Sequence, residues 1–246
     1  MRQVLTGFLV ATLLAITTVV AADDRRQKDA IRVSLLRATP GHLEDLINEI
    51  KAQNVDQLVL RHSQGDHWDI MIVGRYGDTW QRRVSGNELA NYSKSLRTPV
   101  DFDMTFKATC GRSKLAAFLP RDRRSGSQNQ FAIETDRTNL FHIEMFHAAG
   151  GKQKALMEQR RMENNYLKST GRRGNTICQV ESGSDVDVFT IGFYRDLAHF
   201  AEEPDLPEEA FERAARAAGF KNRADISFYL RELIVGHQDT LATKIE

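Results

Sequence analysis

The sequence has few of the features that mark several common protein classes. Its 246 residues include two cysteines, Cys110 and Cys178, without the spacing of a zinc site, so we assign no metal ligands. Basic and acidic residues number 34 and 33, and no long basic cluster is present, which argues against a nucleic-acid partner. There is no phosphate loop, nucleophile elbow or dinucleotide fingerprint. The sequence therefore offers no motif for nucleotide binding or for a hydrolase nucleophile.

The first 22 residues have the pattern of a secretory signal. Arg2 precedes an apolar run from Val4 to Val20, and Ala21 and Ala22 are small residues suited to cleavage. An uncleaved membrane anchor is the alternative, because the run is close to the shortest length that spans a bilayer. We expect cleavage, a mature chain in the periplasm or outside the cell, and no membrane contact afterwards. In such an oxidising compartment the two cysteines are candidates for a disulfide.

Two stretches of the chain align with one another. His67 to Asp78 aligns without a gap on Asp185 to Asp196, and aspartate, glycine and tyrosine coincide within them. A second pair, Val33 to Gly41 and Ile143 to Gly151, lies about 110 residues apart and shares an apolar strand followed by a turn. Matching segments of this kind predict that one fold unit occurs twice.

Each copy predicts the order strand, helix, strand, strand. Ile31, Val33 and Leu35 alternate with polar residues, as in a half-buried strand, and a helical pattern and a hairpin follow. The second copy has the same order, and the tail carries helical patterns. We divide the chain into a signal at 1–22, a first unit at 23–84, an intervening segment at 85–140, a second unit at 141–204 and a helical C-terminal extension at 205–246.

The doubled pattern resembles the dimeric α/β-barrel superfamily, which includes antibiotic-biosynthesis monooxygenases, EthD-like proteins, NIPSNAP proteins and haem-processing enzymes. Ala38 to Gly41, Ala148 to Gly151 and two Gly-x-Tyr-x-Asp strand ends carry the resemblance. It implies an α+β fold in which two ferredoxin-like β-α-β-β repeats form a dimeric α/β-barrel-like body with extra C-terminal helices. It also implies small-molecule chemistry beneath the sheet, with haem or no cofactor, and leaves a homodimer open.

The two copies differ at the positions between the apolar residues of their first strands. If the apolar positions face the helices, the first copy turns Arg32 and Ser34 toward the barrel interior, and the second turns His142 and Glu144 there. Residues two apart on a strand share a face and lie about 7 Å apart. His142 and Glu144 therefore predict a catalytic acid–base pair, two metal ligands, or a hydrogen-bonded pair without chemistry.

The second predicted helix also carries charge where the first is apolar. Arg160 and Glu163 share a stripe with leucines, so they form either a structural ion pair or, if buried, a pair that needs further partners. Tyr194 ends a strand, where a hydroxyl can bind a ligand or simply lie at the rim of the core. We predict His142, Glu144 and Tyr194 as catalytic residues and Arg160, Glu163 and Arg32 as ligand-binding residues.

These residues favour a secreted or periplasmic protein that binds a small molecule mainly through its second copy. The first alternative is an enzyme of the monooxygenase, isomerase or lyase type that uses His142 and Glu144. The second alternative is a structural or assembly protein whose interior is packed shut.

Overall fold

The computed structural model describes residues 29–53, 57–77, 87, 89–111, 115–119 and 137–245, so the predicted signal at 1–22 lies outside the described residues. The strands are β1 (Asp29–Ala38), β2 (Leu58–Gln64), β3 (Ile70–Arg75), β4 (Val100–Cys110), β5 (Leu140–Ala148), β6 (Thr176–Ser182), β7 (Val188–Tyr194) and β8 (Ile234–Lys244). They form a closed antiparallel barrel in the order β1-β3-β2-β8-β5-β7-β6-β4.

Helices cover the outside of this barrel, except the second one in the chain, whose Leu115 and Phe118 pack into the interior core. They are α1 (Leu43–Ala52), α2 (Leu115–Phe118), α3 (Gln153–Ser169), α4 (Leu197–Ala201), α5 (Glu208–Ala218) and α6 (Asp225–Arg231), with a 3-10 helix at Tyr92–Ser95. Leu46 and Ile50 of α1 pack on the outer face of β3. Leu156 of α3 packs against Phe146 and Val188, and α5 packs on α3. None of the helices in the described part of the chain is long and apolar enough to span a membrane.

The predicted fold class is wrong. The chain forms one closed eight-stranded antiparallel barrel and not a dimeric α/β body of ferredoxin-like β-α-β-β repeats. Two strands account for the difference, because β4 lies in the intervening segment at 85–140 and β8 lies in the tail that we expected to be helical. β4 pairs with β6 and β8 pairs with β2, so the sheet closes within one chain and leaves no free edge.

The barrel interior is a packed apolar core to which all eight strands contribute. Ile31, Val33 and Leu35 of β1 point into it, as do the rings of Phe106, Phe141, Phe189 and Phe193. Phe141 and Phe193 meet edge to face with ring centroids 5.6 Å apart. Packing of this density stabilises the fold by removing apolar surface from water, at roughly 25 cal/mol per Å².

The prediction that Arg32, Ser34, His142 and Glu144 face the interior is also wrong. The apolar alternates occupy the interior, and these four side chains lie on the outer face, beneath α1 and α3. Both faces of each strand are largely buried, one by the core and one by a helix, so alternation alone does not distinguish them. Closure of the barrel determines which face points inward, because the small interior of an eight-stranded barrel accepts the more apolar face of each strand.

Cys110 and Cys178 form a disulfide across the β4–β6 seam. The two residues are directly opposite each other in the strand pair, and their Cα atoms are 4.0 Å apart. The bond links positions 68 residues apart and joins the strands of the first half of the chain to those of the second half. A cross-link of that span stabilises a fold by about 4 kcal/mol in the loop-entropy model.

Candidate functional site

Polar and charged side chains collect on the outer face of β5, β7 and β8, beneath α3. In the strand register Glu144 is opposite Thr190 on one side and Asp239 on the other, and His142 follows one row further along. The helix adds Arg160 and Glu163 from above. We call this group the second-half cluster; it consists of His142, Glu144, Arg160, Glu163, Thr190, Tyr194, Phe200 and Asp239.

Arg160 is the buried centre of the second-half cluster, with 3% of its surface exposed. One guanidinium nitrogen lies 3.6 Å from Glu144 Oε2, and the other donates a hydrogen bond to Glu163. Its Nε donates to Gln159 at 2.7 Å, and the guanidinium lies 4.7 Å from the centre of the Phe146 ring. This number of partners is what a buried cation requires, since desolvation costs several kcal/mol per ion.

The two glutamates are held differently. Glu144 Oε2 accepts a hydrogen bond from the Thr190 hydroxyl at 2.9 Å, and its side chain is 13% exposed. Burial raises the pKa of Glu163; the nearby Glu144 adds to the rise, and Arg160 opposes it. The cluster therefore combines an anchored carboxylate with a carboxyl group that retains its proton to higher pH than usual.

His142 is oriented by a carboxylate from the neighbouring strand. Its Nε2 lies 3.4 Å from Asp239 Oδ1, and Asp239 Oδ2 lies 3.0 Å from Nε2 of a second histidine, His237. The hydrogen bond from His142 lowers the pKa of Asp239, and His237 lowers it further. Asp239 therefore orients the imidazole of His142 through its Nε2 side.

An aromatic ring, that of Phe200, borders the imidazole of His142. The Phe200 ring from α4 lies 5.1 Å from His142 and 5.0 Å from Tyr194, centroid to centroid. Tyr194 folds back over Gly192, where a Cβ atom would be 2.7 Å from the tyrosine ring, so a side chain at 192 would displace it. Burial raises the pKa of the Tyr194 phenol, and Arg172 partly opposes the rise.

The structure brings together five of the six residues that we predicted for the site. His142, Glu144, Tyr194, Arg160 and Glu163 share the second-half cluster through the contacts above. Arg32 lies in the other half of the barrel, where it is 1% exposed and donates from Nη2 to the Ala90 carbonyl oxygen at 2.5 Å. That position is the outer face beneath α1, which the charged cluster does not reach.

The first half has a counterpart to this cluster that contains Arg32 and no carboxylate. Ser34 occupies the position of Glu144 and shares a hydrogen bond of 2.9 Å with Thr105 of β4. Ile50 of α1 and Gln53, which follows the end of α1, stand where α3 has Arg160 and Glu163. Gln53 accepts a hydrogen bond from the Tyr92 hydroxyl at 2.9 Å. We call Arg32, Ser34, Ile50, Gln53, Tyr92 and Thr105 the first-half cluster.

Sequence reasoning missed Asp239, His237 and Phe200. The first two lie on β8, in the tail that was predicted to be helical, and a helix would not place residues two apart on one face. His237, Asp239 and Leu241 do alternate with period two, which is the signal that would have placed them on the outer face of a strand.

The described residues do not fit a haem, which the superfamily resemblance implied as one option. A haem needs an axial ligand and room for the macrocycle, whereas Phe118, Phe141 and Phe193 fill the described interior ring against ring, at centroid distances of 5.5 to 5.6 Å. Among the same residues, no group of three or more histidine, cysteine or acidic side chains is arranged to hold a metal ion.

No family model and no curated protein matches the chain. Solved structures do. An anthrone oxidase-like protein superposes with a TM-score of 0.55 at 12% identity, over 90% of this chain and 93% of its own. A protein named as a monooxygenase from Fusobacterium nucleatum subsp. nucleatum reaches a TM-score of 0.49 at 10% identity, over 90% and 94%. At these identities the first likeness shows the barrel fold, and the second carries no argument.

Proposed function

We propose that this chain binds a small molecule at the second-half cluster and that His142 exchanges a proton with it. One observation carries the proposal: Asp239 lies 3.4 Å from Nε2 of His142 and orients the imidazole beside the Phe200 ring, and we assign Nδ1 as the nitrogen that exchanges the proton. General bases are held in this way because the orienting carboxylate also stabilises the imidazolium that forms. Partial exposure of His142, Glu144 and Glu163 leaves the cluster open to solvent and to a ligand.

The other predicted residues have supporting roles in this proposal. Tyr194 offers a hydroxyl to the ligand at the rim, and Phe200 offers a ring face against which an apolar part can pack. Arg160 and Glu144 set the local electrostatic field, since both are fixed by several contacts and neither needs to move.

The anthrone oxidase-like neighbour supports an oxidation among the reactions that such a base can begin. Removing a proton from an acidic C–H bond leaves a carbanion, which dioxygen can then oxidise. We therefore favour the monooxygenase alternative over the lyase alternative.

The proposal includes export to the periplasm or the exterior of the cell. The signal-like segment at 1–22 and the Cys110–Cys178 disulfide both support it, because disulfides persist in oxidising compartments. Cell fractionation with thiol alkylation tests it: the expected product is a chain shortened at its N-terminus with both cysteines protected. A full-length chain with two alkylated cysteines in the cytosol would contradict it.

The first experiment is native mass spectrometry and a visible spectrum of the protein purified from its own compartment. We expect the purified protein to retain an organic molecule, at partial or full occupancy. The His142→Ala and Glu144→Gln variants should lose this molecule, whereas Ser34→Ala, the matched variant in the first half, should keep it. Equal loss in all three variants would contradict a site in the second half. The same spectrum gives the oligomeric state, for which a homodimer remains a prediction.

A non-catalytic role is the second candidate, and the filled barrel interior favours it. Packed rings at Phe106, Phe141, Phe189 and Phe193 are typical of a scaffold core. A protein that binds its ligand but does not convert it would be a binding protein and not an enzyme. In that case ligand binding should show no pH dependence that the His142→Ala variant lacks.

A further inference from the structure

Asp239 lies between two histidines on the outer face of β5 and β8. Its Oδ1 lies 3.4 Å from Nε2 of His142, and its Oδ2 lies 3.0 Å from Nε2 of His237. In the strand register Asp239 is directly opposite Glu144, which is also a carboxylate. Like charges opposite each other on a sheet repel, and the Asp239 side chain is 53% exposed. It therefore needs hydrogen-bond donors to stay on this face and not turn toward solvent.

His237 is held in place by its own neighbours. Its ring lies parallel to the ring of Phe146, with an interplanar angle of 5° and a centroid distance of 5.8 Å. The two residues are partners in the strand register, and the His237 side chain is 16% exposed. Its contact with Asp239 is also the shorter of the two histidine contacts. His237 can therefore hold the carboxylate from a fixed position.

Arg231 determines which nitrogen of His237 carries the proton. Its Nη1 lies 3.3 Å from Nδ1 of His237, at the end of α6. A guanidinium group only donates hydrogen bonds, so Nδ1 must accept and is unprotonated. In the neutral imidazole the proton is then on Nε2, the nitrogen that faces Asp239. The contact with Arg231 therefore selects the tautomer of His237 that donates to the carboxylate.

We propose that His237 is a positioning residue for His142. It holds Asp239 in the orientation that places Oδ1 beside Nε2 of His142. Arg231 keeps His237 in the tautomer that can do this. The inference rests on the proposed function, since His142 is the group that exchanges the proton there. It adds His237 and Arg231 to the site as residues that act through Asp239.

Two variants of His237 separate hydrogen bonding from packing. His237→Phe keeps a ring against Phe146 and removes the donor to Asp239. His237→Gln removes the ring and keeps an N–H donor on the side chain. If His237 acts by packing alone, the phenylalanine variant should resemble the wild type. If it positions Asp239, the glutamine variant should resemble the wild type instead.

Nuclear magnetic resonance of the full chain with isotope-labelled histidine measures the orientation of His142. We expect a downfield resonance from its Nε2–H, identified by its absence in His142→Ala. His237→Phe should speed the exchange of this proton with solvent about tenfold or more, because Asp239 is released, and His237→Gln should change it by less than about twofold. His42→Gln, at an exposed ion pair of α1, is the control and should leave the exchange rate unchanged.

The tautomer of His237 is read from long-range proton–nitrogen correlations in the same samples. We expect the proton on Nε2 in the wild type and a mixture of both tautomers in Arg231→Leu. Arg231→Lys keeps a cationic donor and should retain the single tautomer. A wild-type proton on Nδ1 of His237 would overturn the inference. So would a His142 exchange rate that His237→Phe leaves unchanged, or one that His237→Gln raises as much as His237→Phe does.

Native mass spectrometry of the same variants separates this inference from the proposed function. If His142→Ala loses the retained organic molecule and His237→Phe leaves the His142 resonance unchanged, the function stands and the positioning role is wrong. If His237→Phe speeds the exchange but the wild type retains no organic molecule, the positioning role stands and the proposed ligand binding is wrong. Circular dichroism of each variant shows whether a change reflects unfolding.

Discussion

The outer faces beneath α1 and beneath α3 share backbone contacts and differ in side chains. Asp69 accepts a hydrogen bond from the backbone N–H of Ala38, and Asp187 accepts one from Ala148, each at 2.8 Å. The first-half cluster has the apolar Ile50, hydrogen bonds between neutral side chains, and the buried Arg32. The second-half cluster instead contains three carboxylates together with Arg160 and His142.

The difference shows that strand position and local chemistry are set by separate residues. The aspartates and the turns hold each strand in place whether or not the adjacent helix carries charge. Ser34 and Glu144 stand at matching points of β1 and β5, so the choice of hydroxyl or carboxylate does not depend on the backbone. A site can therefore be present in one half and absent in the other half of the same barrel.

Replacing Arg160 should have the largest effect on stability. Arg160→Ala leaves Glu144 and Glu163 buried without their cation, and we expect a loss of about 3–5 kcal/mol in the free energy of unfolding. Urea denaturation at neutral pH measures it. Arg161→Ala, at an exposed pair on the same helix, should change that free energy by less than about 0.5 kcal/mol. Similar losses of stability in both variants would show that the buried ion pairs of Arg160 contribute no more than an exposed ion pair.

Giving the second half the residues of the first should remove that penalty. The triple variant Glu144→Ser, Arg160→Ile and Glu163→Gln takes away charges together with their partners. We expect a free energy of unfolding equal to the wild type or up to about 4 kcal/mol higher, because burying ions costs desolvation. A drop as large as that of Arg160→Ala would mean that the two halves are not interchangeable in packing.

The paired tyrosines give a smaller and more specific contrast. Tyr194→Phe removes a hydroxyl near the carboxylates of the second-half cluster and should raise the Kd of the retained ligand, measured by native mass spectrometry, about three- to tenfold. Tyr76→Phe, at the matching strand end of the first half, should leave that Kd unchanged. An equal rise in both would contradict the assignment of ligand contacts to the second half.

The smallest expected effect is on the acid stability that Asp239 provides. Its pKa is lowered in the folded state by the hydrogen bond from His142, so its contribution is present above the ordinary aspartate pKa of about 4 and is lost as pH falls through the folded value. Asp239→Asn should lower the urea midpoint at pH 7 and should match the wild type in strong acid. Asp185→Asn, whose side chain is 76% exposed, should show neither change.

The first strands of the two units illustrate how far pattern reasoning reaches. Period two located β1 and β5 and put His142 and Glu144 on one face, and helical spacing put Arg160 and Glu163 on one stripe. It did not find β4 or β8. Asp101, Asp103 and Lys107 weaken the apolar alternation of β4, and the tail has stronger helical patterns that precede β8. Asp239 was lost for that reason.

The sequence by itself determined which residues differ between the two halves and which of them share a local face, because spacing along a strand or a helix fixes that geometry. The tertiary structure decided the rest. Closure of the barrel by β4 and β8 turned the apolar faces inward and left the charged faces beneath the helices. It also brought Asp239 to His142, two residues about 100 positions apart, which is a pairing that only the strand order of the closed sheet specifies.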